Sequence, residues 1–426
     1  MRKPLLLLFI MVHSVFARLC AQSTMPADLR ESEPAAAAMS ADRLQRIDRF
    51  IGEYIDKHWI AGAAALIARN GKIVYYKALG NDDLANHTPM KRNEIFRIAS
   101  QSKAITSVAA MILYEQGKFL LDDPISKYIP EFRDTRVLAS FNPSDTTYTT
   151  VAAKRQITVR DLLTHVSGLD YPLIGSKPMV AIYAKAKIPV GIGTPYYRLD
   201  TVMKKLAALP LVHQPGESWT YSFGVDLLGY LVEVWSGTSL DEFFRRNIFE
   251  PLGMKDSYFY LPAEKQSRLA TLYTEDSVHR LVQVAANEPV ASYPDSHGRF
   301  FSGGAGLSST LMDYAIFLQM MLNGGEYNGH RILSRNTVRL MTTNQIGDMK
   351  LGDNKFGLGF EIETEKGSAR LPVNIGTISW GGYFGTAYWA DPKEKLVGLL
   401  MIQLYPNSHG DIVDKFKVMA YQAITD

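Results

Sequence analysis

Apolar residues recur at helical spacing over 41–57, where Leu44, Ile47, Phe50, Ile51 and Tyr54 alternate with charged positions and predict an amphipathic helix. The period then changes. Two runs rich in strand formers, 63–68 and 72–78, flank Asn70-Gly71, a dipeptide that tolerates positive φ, and so predict a β-hairpin. From 100 to 116 the residues Ile105, Val108, Ile112 and Leu113 share one face of a buried helix, with Gly117 as its stop. Helical patches at 225–235, 240–248 and 311–322, separated by Pro- and Gly-containing loops, predict a mostly helical lobe over about 120–350. After Phe356 strand-like runs return at 381–390 and 396–404, joined by the turn Asp391-Pro392-Lys393-Glu394, and a closing helix covers 412–424.

Strands at both ends with helices between them predict an α+β fold. One antiparallel sheet is built from N- and C-terminal segments (about 41–119 and 351–426) flanked by helices, and the helical lobe is inserted between them in sequence.

The first residues read differently. Arg2 and Lys3 precede an apolar run from Leu5 to Val12, then small and polar residues through Ala21-Gln22-Ser23, the three-part layout of a secretory signal peptide over 1–21. The run is shorter than the ~20 apolar residues of a membrane-spanning helix, and no later segment reaches that length without charges, so no span is expected in the mature chain. The residue before Cys20 is Leu19, where lipidation signals want a small residue. Residues 22–40, with Glu31-Ser32-Glu33-Pro34 and four alanines in a row, read as a leader to the folded body over 41–426. A periplasmic or extracellular location follows from this pattern.

Losing Arg2, Lys3 and Arg18 leaves 43 basic against 43 acidic residues, so the basicity of the full chain belongs to its first residues and no footprint for nucleic acid remains. Cys20, the single cysteine, lies in the same segment, which removes disulfides, thiolate catalysis and cysteine metal sites from the folded body. No two histidines stand in H-x-x-x-H spacing, and neither a metal nor another cofactor is expected. His165 is expected to cap a turn or bond backbone, and the glycines at 303–306 and 324–325 to serve turns or close packing.

Three short stretches carry chemistry. In Ser100-Gln101-Ser102-Lys103, residues three apart on a helix share a face, so the Lys103 amine can reach the Ser100 hydroxyl, and the helix start favours a developing anion there. A serine hydroxyl needs a neighbouring base to take its proton as it attacks. Tyr221, in Tyr221-Ser222, can be that base if an ammonium stabilises its phenolate. In Trp380-Gly381-Gly382-Tyr383, two adjacent glycines weaken a strand unless another group must approach its backbone. The Tyr383 N–H can then join that of Ser100 in an oxyanion hole.

In this order, S-x-x-K at a helix start, Y-S in the helical lobe and W-G-G on a late strand resemble the serine β-lactamase and penicillin-binding superfamily. The pattern is most similar to its class C-like branch with the family VIII-type carboxylesterases. Leu162-Leu163-Thr164-His165-Val166-Ser167-Gly168-Leu169, Pro251-Leu252-Gly253-Met254 and Gly303-Gly304-Ala305-Gly306-Leu307 extend the resemblance over nearly the whole mature chain. The resemblance implies Ser100 as nucleophile, Lys103 and Tyr221 as the pair shuttling its proton, and Ser100 and Tyr383 as backbone oxyanion donors; which of Lys103 and Tyr221 is the base stays open.

Two positions depart from β-lactamases and transpeptidases: Phe223 stands where they usually have Asn, and Trp380 where they usually have Lys or His. Aromatic replacements make a more apolar pocket, lined by Tyr171, Phe223, Trp380, Gly381, Gly382 and Tyr383, suited to a small uncharged ester. Esterase or acyltransferase chemistry is therefore expected first, β-lactamase or D-amino-acid peptidase chemistry second, and a non-catalytic ligand-binding module third. G-x-S-x-G is absent, which removes the nucleophile elbow of the α/β-hydrolase fold.

Overall fold

The computed structural model describes residues 28–426. The expected signal peptide lies outside the described residues. Among those described, a nine-stranded sheet is built from β1 (Arg30–Glu31), β2 (Gly62–Arg69), β3 (Lys72–Asp83), β4 (Thr88–Pro89), β5 (Lys355–Phe356), β6 (Glu361–Ile362), β7 (Ile378–Gly382), β8 (Thr386–Asp391) and β9 (Leu396–Met401). The order is β1-β3-β2-β9-β8-β7-β6-β5, with β4 on β3; β1 and β3 are parallel and the other pairs antiparallel. The two ends of the chain meet at the β2–β9 seam, where Leu66 pairs with Leu399.

Every residue of β2 is buried, because helices cover both faces of the sheet. Ala64, Leu66 and Ala68, with Val397, Leu399 and Met401, pack toward α2 (Ser102–Glu115), α3 (Gly224–Ser236) and α4 (Leu311–Leu322). Ala63, Ala65 and Ile67 face the other way, onto α1 (Ala41–Asp56) and α5 (Ile412–Tyr421). The period-2 alternation of a strand thus feeds two separate cores. Helix α1 starts at Ser40, whose hydroxyl accepts the Arg43 N–H at 3.3 Å, and buries the predicted stripe Leu44, Ile47, Ile51 and Tyr54. Asn70 and Gly71 take φ of 55° and 73°, as a two-residue hairpin turn requires.

Three expectations need correction. The described part of the leader, 28–40, is joined to the body: β1 pairs with Lys72 and Ile73, and the buried Ala37 and Met39 pack into the body. The run 381–390 is two strands, since the chain reverses at Tyr383-Phe384-Gly385, with Gly385 at φ 82° closing the turn. The inserted lobe also carries hairpins, Arg136–Asn142 with Thr147–Ala152 and Tyr273–Glu275 with Leu281–Gln283.

Candidate active site

Ser100 lies in the single 3-10 turn that leads into α2, and Ala99 before it has φ 41°, a left-handed conformation uncommon for a residue with a Cβ. Lys103 follows one turn later, in the first turn of α2, and is buried. Its Nζ stands 3.3 Å from Ser100 Oγ, as the i, i+3 spacing predicts. Tyr221 arrives from the segment before α3, and its phenol oxygen is 2.6 Å from Ser100 Oγ.

Lys103 Nζ also donates to the Gly304 carbonyl at 2.7 Å and to the Tyr171 hydroxyl at 3.4 Å. Its three acceptors match the three donors of an ammonium. The charge rests against the faces of Tyr221 and Tyr171, at 4.6 and 5.2 Å from the ring centroids. Tyr221 itself is walled by aromatic rings: Tyr171 and Trp219 are near-parallel to it, and His165 and Trp380 are tilted at 5.0 and 5.5 Å.

The third stretch reaches the same place. Gly382, at the end of β7, lies so close to the backbone before the nucleophile that a Cβ there would stand 2.4 Å from the Ile98 carbonyl oxygen. Protein backbone, not only substrate, therefore demands this glycine. Neither the Ser100 nor the Tyr383 N–H donates to a protein acceptor among the described residues, so both are free for a substrate oxygen. Trp380 is half-buried, 5.5 Å from Phe356 and 5.5 Å from Tyr221.

Two of the expected pocket residues are buried. Phe223 is fully buried beneath Gly191 and the edge of Tyr171. Tyr171 is buried as well, because its hydroxyl is engaged with Lys103. Burial pushes its phenol well above the usual range and keeps it neutral.

Asp226 is a buried acid near Lys103 that sequence reasoning missed. It is completely buried in α3, its Oδ1 accepts the Ser302 hydroxyl at 2.5 Å, and Gly304 leaves room for its other oxygen, which a Cβ there would meet at 2.2 Å. Burial raises its carboxyl to about 6, against the opposing pull of the nearby Lys103 charge. The signal was present in Phe223-Gly224-Val225-Asp226-Leu227-Leu228: an acid on the apolar face of a helix calls for a buried cation.

A serine held at a helix start between an amine and a phenol, under a glycine-bearing strand of a sheet clasped by helices, defines a protein of the serine β-lactamase and transpeptidase type. A profile of the Beta-lactamase family matches residues 47–422. Protein Rv1367c of Mycobacterium tuberculosis is 36% identical over 371 residues, covering 84% of this chain and 89% of that protein. Esterase EstB of Burkholderia gladioli is 29% identical over 388 residues, 87% of this chain and 93% of its own. Among solved structures, EstCE1, described as a hydrolase with promiscuous acyltransferase activity, is similar with TM-score 0.78 and 27% identity over 92% of this chain and all of its own. The chain belongs to the Beta-lactamase family, and it is a serine hydrolase.

Proposed function

We propose that this protein is a carboxylesterase or acyltransferase that forms an acyl-enzyme on Ser100 with small, uncharged esters. The observation that carries the reading is the 2.6 Å contact between the Tyr221 phenol and Ser100 Oγ beside a lysine whose three donors are all engaged. With three oxygens around the Lys103 amine, we assign the proton-accepting role to Tyr221 and a charge-holding role beside it to Lys103. Ser100 Oγ attacks the ester carbonyl carbon as its proton passes to the Tyr221 oxygen. The carbonyl oxygen becomes an oxyanion at the N–H groups of Ser100 and Tyr383. Collapse breaks the bond to the alkoxide, which takes the proton from Tyr221. Water, or another alcohol or amine, then reverses the sequence and releases the acyl group as acid, ester or amide.

Preference for an uncharged acyl group follows from the side chains around the nucleophile. Trp380 offers no charge to a substrate carboxylate, and Ile192, Val290 and Tyr383 form a partly exposed apolar wall next to Ala99. The names of EstB and EstCE1 support the same chemistry. The N-terminal pattern supports export to the periplasm or the medium, and no helix among the described residues is long and apolar enough to cross a membrane.

Purified protein is expected to turn over short p-nitrophenyl esters faster than nitrocefin or D-alanyl peptides, and Ser100→Ala to abolish turnover. Ester hydrolysis surviving in Ser100→Ala, or a preference for nitrocefin or the peptides, overturns the proposal. Fractionation of cells carrying the full chain is expected to recover it outside the cytoplasm; retention inside refutes export.

A further inference from the structure

We propose that His165 is a positioning residue for Tyr221, gripping the residues on either side of it and so setting the phenol on the Ser100 hydroxyl. The inference rests on the reading of Tyr221 as the proton acceptor of Ser100. Two arms reach from one residue. The His165 carbonyl accepts the Thr220 N–H at 2.8 Å, and its imidazole Nδ1 accepts the Ser222 N–H at 3.3 Å, with Ser222 Oγ 3.2 Å away. The grip continues into α3, because Ser222 Oγ accepts the Gly224 N–H at 3.2 Å at the start of that helix.

Local backbone makes the double reach possible. His165 has φ 59°, a left-handed conformation that turns the chain at this position, and its carbonyl and ring both meet the 220–222 segment. The ring is fixed on its other sides by Trp219 at 5.7 Å and Phe356 at 5.4 Å, and it packs directly on Tyr221 at 5.0 Å.

The imidazole arm works only while neutral, since Nδ1 must keep its lone pair. Complete burial and the Lys103 charge hold His165 well below its ordinary range, and Lys103 and Tyr221 are the ionisable groups near the ring. The residue touches no reacting atom. It acts by fixing where the phenol stands, and a displacement of about 1 Å at a catalytic group can cost about 10²-fold in rate.

The test compares His165→Leu with His165→Asn, whose side-chain oxygen can stand where Nδ1 stands and which tolerates the left-handed backbone. With p-nitrophenyl butyrate, His165→Leu is expected to lower kcat about 10²-fold with KM within about twofold, and His165→Asn to recover at least about tenfold of that loss. In a Tyr221→Phe background, His165→Leu is expected to cost nothing further, because there is no phenolate left to position. Equal kcat in wild type and His165→Leu, or a full additional loss in the Tyr221→Phe background, overturns the proposal. If Tyr221→Phe alone keeps wild-type kcat, the reading of Tyr221 has failed first, and the clamp with it. Should His165→Leu not fold, His165→Asn against His165→Gln decides: only asparagine places its oxygen correctly, and equal activities refute the clamp.

Discussion

The Tyr221 phenol oxygen stands 2.6 Å from Ser100 Oγ, nearer than the Lys103 amine at 3.3 Å. On the proposed reading, the shorter contact belongs to the group that takes the proton, and the longer one to the group that holds the site's charge. Tyr221→Phe removes the acceptor and is expected to lower kcat for p-nitrophenyl esters about 10³-fold or more. Lys103→Met removes the charge and is expected to lower it comparably, and the double variant to be no worse than the poorer single one, because the two act as a unit. Steady-state kinetics on the three proteins decides; additive losses would separate the pair into independent contributors.

Asp226 links this pair to pH. Burial holds its carboxyl proton up to about 6, so the carboxylate that feels the Lys103 charge exists above that pH and is neutralised below it. Ester hydrolysis is therefore expected to fall as pH drops through about 6. Asp226→Asn is expected to run about tenfold slower at pH 8 and to lose this acid limb, since an amide does not titrate. A limb of unchanged position in the asparagine variant would assign it to another group.

The two glycines of β7 are expected to differ. A Cβ on Gly382 would meet the Ile98 carbonyl at 2.4 Å and Thr386 Oγ1 at 2.2 Å, whereas one on Gly381 finds only the Thr386 carbonyl at 3.3 Å. Gly382→Ala must push the strand end away from the turn that carries Ser100, with a stability cost of about 1–3 kcal/mol and loss of the oxyanion geometry. Gly381→Ala is expected to stay near wild type in both. Thermal unfolding and kcat measured on each variant check the contrast.

These contrasts show what a sequence makes legible. Local helix geometry brings Lys103 to Ser100, whereas the approach of Tyr221 to the same hydroxyl could be expected only from the order of the S-x-x-K, Y-S and W-G-G stretches. Both lobes and the meeting of the chain ends in one sheet followed from the order of periodic segments. The burial of Tyr171 and Phe223 was not legible, because the sequence does not say which way a ring turns; in the structure the Tyr171 hydroxyl meets Lys103 and Phe223 packs under Gly191. Asp226 and the Gly304 carbonyl escaped because they come near Lys103 only through tertiary packing of α2 against α3 and the 303–306 loop. The split of 381–390 into two strands was hidden by a turn in which Tyr383 and Phe384 are as strand-like as their neighbours, leaving Gly385 as the one local sign.

Glu94 sets a pH dependence of stability separate from catalysis. It is buried, and burial together with the Asp82 charge raises its carboxyl to about 7 from an ordinary 4.5. Between those values the folded chain binds the proton and the unfolded chain does not, so stability falls as pH rises through this window. The contribution is complete below about 4.5 and lost above about 7. Asp226 and Asp313, each raised to about 6 by burial, act in the same direction. The unfolding temperature is therefore expected to drop by a few degrees between pH 5 and pH 8. Glu94→Gln, which keeps the shape but cannot ionise, is expected to flatten the part of that slope nearest pH 7 while leaving the part nearer pH 5 to the two aspartates. An unchanged slope in Glu94→Gln, measured by thermal unfolding across this range, would show that the glutamate is already ionised in the folded protein at pH 6.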